Sequence, residues 1–234
     1  MFHFKQFSIA NSRASMKVGT DAVLLGAWAP LEHETRILDI GTGSGILALM
    51  MAQRTENCPI DAVELNHEAA HEAKENIKNC RWKDRIQVFD VSFQQFAAKC
   101  LNRYSLIISN PPFFSKSLKA PDNARNMARH NDWLPVGDLL SCTSNLLNER
   151  GKAVFIIPTD ALENWISEAE KVALFPAQIV RIKSTQAVQP HRILILFTQS
   201  VKEKTYIGEL CIYSSKSEYS SEYEELTKDF YLNF

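Results

Sequence analysis

No apolar run in this chain approaches the ~20 residues that a membrane-spanning helix needs. Its first residues, MFHFKQFSIANSRASMK, lack the basic-then-apolar layout of a secretory signal. Cysteine is sparse and scattered. Cys58, Cys80, Cys100, Cys142 and Cys211 form no C-x-x-C pair, which argues against a disulfide framework and against a zinc site. The six histidines show no ligand spacing either, so no metal is expected. A charge of one sign is missing too. The net charge of −1 gives no global electrostatic case for nucleic-acid binding, although a local basic patch remains open. Internal repeats, low-complexity tracts and Gly/Ser linkers are absent. What is left is an ordinary globular composition, 45% hydrophobic and 23% charged, and the expectation is a monomer with reduced thiols in the cytoplasm.

Apolar runs alternate with helical patterns along the 234 residues. Strands are read at 35–40, 59–65, 85–90, 104–109, 151–158, 176–183 and 191–198, with a further strand at 206–213. Helical patterns cover 44–55, 66–80, 92–100, 135–149, 160–173 and 221–229. This alternation predicts an α/β fold with a mostly parallel sheet and helices on both faces. The late pair of strands, with no clear helix between them, predicts a hairpin and hence one antiparallel strand at that edge. A single domain over 1–234 is expected. In it, 1–34 is an N-terminal segment, 35–200 the seven-stranded core sheet, and 201–234 a C-terminal strand and helix.

Ligands of such sheets bind beyond the carboxyl ends of the strands. Three features fall on that rim. The first is ILDIGTGSGILAL, with Asp39 at a strand end followed by Gly41, Gly43 and Gly45. Glycines let the backbone turn tightly and approach a ligand closely, and the following helix offers free N–H groups. The spacing is G-x-G-x-G, one residue short of the dinucleotide fingerprint G-x-G-x-x-G. The second feature is a pair of acids at consecutive strand ends. Glu64 could accept both hydroxyls of a ribose, and Asp90 could accept from an adenine amine. The combination points to an adenosine-containing cofactor, with a nicotinamide dinucleotide as the rival. It resembles the S-adenosylmethionine site of class I methyltransferases, a Rossmann-like fold. That resemblance puts Asp39, Gly41, Gly43 and Gly45 around the methionine part, Glu64 on the ribose and Asp90 on the adenine edge.

The third feature is ISNPPFF at 108–114. Neither Pro111 nor Pro112 can donate to a sheet ladder, so the strand ends there in a stiff loop. An exocyclic amine on a base is a poor nucleophile, because its lone pair is delocalised into the ring. The side-chain oxygen of Asn110 and the carbonyl of Pro111 could accept both of its hydrogens and aim the lone pair at a methyl group. Pro111 and Pro112 would hold those acceptors rigid. Phe113 offers a face for an extruded base. N-P-P-F resembles the [N/D]-P-P-[Y/F/W] motif of enzymes that methylate planar nitrogens, namely adenine N6, guanine N2 or the glutamine amide of release factors. The motif names the chemistry and leaves the acceptor open among RNA, DNA and protein.

A closer resemblance narrows it. FKQFSI at 4–9, KVGTDAVLLGAW at 17–28, NPPFF at 110–114, RNMARH at 125–130 and LTKDFYLNF at 226–234 together are similar to the bacterial tRNA (adenine-N6)-methyltransferase family. Its members modify the adenine just 3′ of the anticodon in a valine tRNA. The resemblance implies tRNA as partner and a segment folded over the cofactor, with Lys17, Thr20 or Asp21 near it. On local chemistry alone, Thr20 and Asp21 suit an N-cap and a first-turn acid. The loop after Phe114 carries Lys116, Lys119, Arg125, Arg129 and His130 against one acid, Asp122, as a phosphate backbone would require. Lys183 and Arg192 on the late hairpin would extend that track. Phe113 stands where many relatives carry Tyr, which keeps the stacking face and removes a hydroxyl. The acidic stretch 214–226 is expected to pack away from RNA.

Overall fold

The computed structural model describes residues 1–10, 13, 18–112, 134–201, 204–215 and 218–234. The chain opens with a two-stranded antiparallel ribbon, β1 (Phe2–His3) and β2 (Ser8–Ile9), followed by α1 (Thr20–Trp28). Alternation then begins: β3 (Ile37–Ile40), α2 (Ile46–Arg54), β4 (Ile60–Glu64), α3 (His67–Lys78), β5 (Ile86–Asp90), α4 (Phe93–Lys99) and β6 (Tyr104–Ser109). After the N-P-P loop come α5 (Val136–Leu146), β7 (Leu147–Pro158), α6 (Leu162–Glu170), β8 (Phe175–Lys183), β9 (Arg192–Thr198), β10 (Tyr206–Cys211) and α7 (Ser221–Thr227).

Helix starts follow local chemistry. The Asn66 side chain caps α3 by accepting from the Ala69 N–H, and Ser92 and Gln95 form a reciprocal capping box on α4. The α5 helix stops at Leu146, short of the expected 149, because Leu147 already pairs with Tyr104 of β6.

The main sheet has the order β10-β8-β9-β7-β6-β3-β4-β5, and all neighbours are parallel except those of β9. Two details correct the expected seven strands with an antiparallel strand at the edge. Among the described residues the sheet has eight strands, because β10 joins beside β8. The antiparallel strand β9 lies inside, flanked by β7 and β8. The hairpin reading gave the β8–β9 pairing correctly. It could not say which of the two would touch β7, and the connection through α6 carries β8 one place further out, leaving the gap that β9 fills.

Successive side chains of the central strands face opposite layers. Leu106 and Ile108 join the core under α1, α2 and α3, whereas Ile107 joins the core under α4, α5 and α6. The helices α1 and α2 approach closely at Gly26, where a Cβ would come within 2.6 Å of Met50 Sδ. Arg54 fastens the same pair by donating to the Gly26 and Ala29 carbonyls at 2.7 and 2.8 Å. At the amino end of the sheet, buried Asp61 accepts from Tyr104 Oη at 2.7 Å and from both ends of the Arg36 fork. Strand order reverses between β3 and β6, which opens a crevice at their carboxyl ends.

Candidate active site

The crevice is built on the turn after β3. Gly41, Gly43 and Gly45 have φ of 69°, 56° and 88°. In this left-handed region a side chain is strained. A Cβ at Gly41 or Gly43 would meet nothing within 4 Å among the described residues, so on that side these leave the loop backbone open to a ligand. Gly45 instead faces α3, 3.5 Å from the Ala73 Cβ. The loop is tied to β4: the Val63 carbonyl accepts from the Gly41 and Thr42 N–H groups at 2.8 and 3.1 Å. Glu64 takes the Gly43 N–H on one carboxylate oxygen, at 2.8 Å, and the Asn66 N–H on the other, at 2.9 Å. Each oxygen keeps a second acceptor site.

Asp39 is fully buried. Its Oδ2 accepts from the Thr42 hydroxyl at 2.5 Å and the Ala48 N–H at 3.1 Å, while Oδ1 is buried without a partner among the described residues. Burial pushes this carboxyl up to about 7, against the two hydrogen bonds that pull it down, and the Glu64 charge adds to the rise. Asp90 stands directly opposite Glu64 in the β4–β5 register, with its Oδ2 2.5 Å from Nδ1 of exposed His67. A cleft of about 530 Å³ beside it is lined by Arg13, His67, Glu68, His71, Lys74 and Asp90.

The Ser109 hydroxyl donates to the Ile40 carbonyl at 2.7 Å and fixes the end of β6 beside the glycine turn. Asn110 follows, and its Oδ1 is a second buried acceptor without a partner among the described residues. Pro111 is partly buried and Pro112 exposed. Among the described residues these two oxygens stay without a hydrogen-bond partner, one in β3 and one just past the end of its neighbour β6. A buried acceptor left unpaired costs about 1–3 kcal/mol, a cost removed when a ligand brings the donor.

The other sequence-derived residues divide. Lys17, Phe113, Lys116, Lys119, Arg125, Arg129 and His130 lie outside the described residues. Thr20 is the first helical residue of α1, and the cap itself is Gly19, without a side-chain bond. Asp21 accepts from Arg192 Nε at 2.8 Å. Since Arg192 pairs with Pro158 at the carboxyl end of β7, that ion pair belongs to the same rim. Lys183 ends β8 and holds Glu209 at 2.8 Å. Sequence reading missed Thr42, Ser109 and His67. Thr42 was visible as the hydroxyl inside D-x-G-T, whereas the partners of Ser109 and His67 lie far away along the chain. Among the described residues, no group of three or more His, Cys, Asp or Glu could hold a metal, and no helix is long and apolar enough to cross a membrane.

The family model of the methyltransferase small domain matches residues 5–151. A curated tRNA1(Val) (adenine(37)-N6)-methyltransferase from Bacteroides fragilis is 43% identical, over 99% of this chain and 97% of its own. One from Christiangramia forsetii is 44% identical with the same coverage. The chain belongs to this methyltransferase family. Among solved structures, a predicted O-methyltransferase from Agrobacterium tumefaciens superposes with a TM-score of 0.72 at 18% identity, covering 90% of this chain and 96% of its own. That likeness bears on the fold, which is Rossmann-like class I.

The methyltransferase is thus an enzyme whose cofactor is S-adenosylmethionine. The residues present fit that group. The open glycine backbone allows close approach. The rim carboxylates Asp39, Glu64 and Asp90 suit a molecule bearing a sulfonium and an ammonium, and the buried Asp39 Oδ1 awaits a donor.

Proposed function

We propose that this methyltransferase acts on the exocyclic N6 of adenine 37 in tRNA1(Val), the reaction named for its relatives. One structural observation carries the chemical part: the buried Asn110 Oδ1, without a partner among the described residues, just past the end of β6, which pairs with β3 and its glycine turn. S-adenosylmethionine supplies a methyl group on a positively charged sulfur. Asn110 Oδ1 and the Pro111 carbonyl accept the two N6 hydrogens, which localises the nitrogen lone pair and aims it. Pro111 and Pro112 hold these acceptors in place before the base arrives, so little reorganisation is left to the reaction. No strong base is needed, since the extra proton leaves after transfer. Phe113 stacks on the adenine.

In the same proposal, Asp39, Gly41, Gly43 and Gly45 surround the methionine part. Glu64 holds the ribose through its remaining acceptor sites, Asp90 takes the adenine amine, and Lys17, Thr20 and Asp21 lie close by. Lys116, Lys119, Arg125, Arg129 and His130 carry the phosphate backbone. Lys183 and Arg192 extend that track with charges already shared with Glu209 and Asp21. The enzyme works in the cytoplasm as a monomer, with 1–234 as one domain.

The test is methyl transfer from labelled S-adenosylmethionine to total tRNA from a strain lacking the enzyme, followed by nucleoside analysis. Label is expected as N6-methyladenosine in a valine tRNA. Unlabelled tRNA beside labelled ribosomal RNA, DNA or protein glutamine would overturn the acceptor and keep the chemistry.

A further inference from the structure

The buried face of α3 carries two polar side chains. Helical spacing puts Ala69, Ala73 and Ile77 on that face, and Glu72 and Asn76 share it, 2% and 6% exposed. Buried polar groups are costly unless satisfied, so their partners explain their presence. Asn76 Oδ1 accepts the Ala10 N–H at 2.9 Å. Its amide nitrogen donates to the Ala10 carbonyl at 2.8 Å and to the Ser44 carbonyl, also at 2.8 Å. Both amide hydrogens and one acceptor site are used. One turn earlier, Glu72 Oε1 accepts the Arg13 N–H at 3.0 Å.

Ala10 belongs to the segment that leads from the ribbon towards α1. Ser44 belongs to the glycine turn, between Gly43 and Gly45. One side chain therefore spans two backbones that are far apart in sequence, and it clamps both Ala10 groups as a neighbouring strand would. Apolar packing would seat the segment as well, but only directed hydrogen bonds fix its register against the turn.

We propose that Asn76 is a positioning residue for cofactor binding, coupling the N-terminal segment to the glycine turn so that the two order together. It need not touch the cofactor, and the inference does not depend on which nucleic acid is methylated. If Ala10 and the turn form one cooperative unit, ordering one orders the other.

Two measurements test it. In the unaltered full-length protein, amide hydrogen exchange is followed with and without S-adenosylhomocysteine. Exchange at Ala10 and Arg13 is expected to slow by about the same factor as at Gly43. In Asn76→Ala, Kd for S-adenosylhomocysteine is expected to rise about tenfold, equivalent to one or two lost hydrogen bonds. Its kcat at saturating cofactor should change less than about twofold, and turn and segment should no longer slow together. A folded variant with unchanged Kd would overturn the proposal. So would slowing of the turn alone in the unaltered protein, a result available even if the variant fails to fold.

Discussion

Asn110 and Asp39 each have a buried oxygen without a hydrogen-bond partner among the described residues, and their expected behaviour differs. In the proposed reaction Asn110 accepts a hydrogen of the acceptor amine. Asn110→Ala is expected to lower kcat by at least ~10²-fold with little change in cofactor Kd, as when one preorganised hydrogen-bond partner is removed. Steady-state kinetics beside calorimetry checks the split, and near-normal turnover would remove Asn110 from the chemistry. Asp39 is a stability matter as well. Its carboxyl is held at about 7 in the fold, above its ordinary value of 3.8, so the folded state binds more protons between those limits. The contribution is present in full below the lower value and is lost as pH rises through 7. Melting of the cofactor-free protein should therefore show a fall in stability from pH 5 to 8 that is smaller in Asp39→Asn. An identical pH slope in the two proteins would contradict the assigned shift.

Elements place these residues. The end of β6 is held to β3 by strand pairing and by the Ser109 hydroxyl, and β4 carries the glycine turn through Val63 and Glu64. At the opposite end of the same strands lies the Arg36–Asp61–Tyr104 cluster. Asp61 is almost fully buried, and removing it leaves the Tyr104 hydroxyl without its carboxylate and Arg36 without its fork partner. Asp61→Ala is expected to cost about 3 kcal/mol in denaturant unfolding. Cofactor Kd should stay within about twofold, since the cluster is a sheet-length from the turn and distant sites act independently. A large change in Kd at unchanged stability would mean that the cluster communicates with the site.

The whole molecule carries almost no net charge, so association with a polyanion must depend on where its cations stand. In the proposed reading the stretch of sequence around Arg129 supplies them. Arg129→Ala should weaken tRNA binding at low salt and reduce the slope of log K against log salt by about one. Filter binding over a salt series measures this, and an unchanged slope would take Arg129 out of the phosphate track. The acidic C-terminal stretch opposes RNA only if it shares the binding face. The structure places α7 against α1 and β10, with Tyr223 buried and Lys5 of the N-terminal ribbon donating to the Lys228 and Phe234 carbonyls at 2.6 Å.

The sequence by itself determined the layer architecture, the glycine turn, the two acids at strand ends and the N-P-P loop. Each depends on residues adjacent in the chain: periodicity sets strand or helix, glycine permits positive φ at Gly41, and proline ends β6. Local pattern also carried the family, through separated motifs such as GTDAVLLGAW and NPPFF. Tertiary structure alone decided what no local rule contains. It put β9 between β7 and β8, because a hairpin fixes a pairing and not the neighbour beyond it. It gave Arg192 to Asp21 and Asn76 to Ala10 and Ser44, contacts across 171, 66 and 32 residues. It left one oxygen each of Asp39 and Asn110 buried and unpaired among the described residues, because burial and pairing depend on everything packed around a side chain.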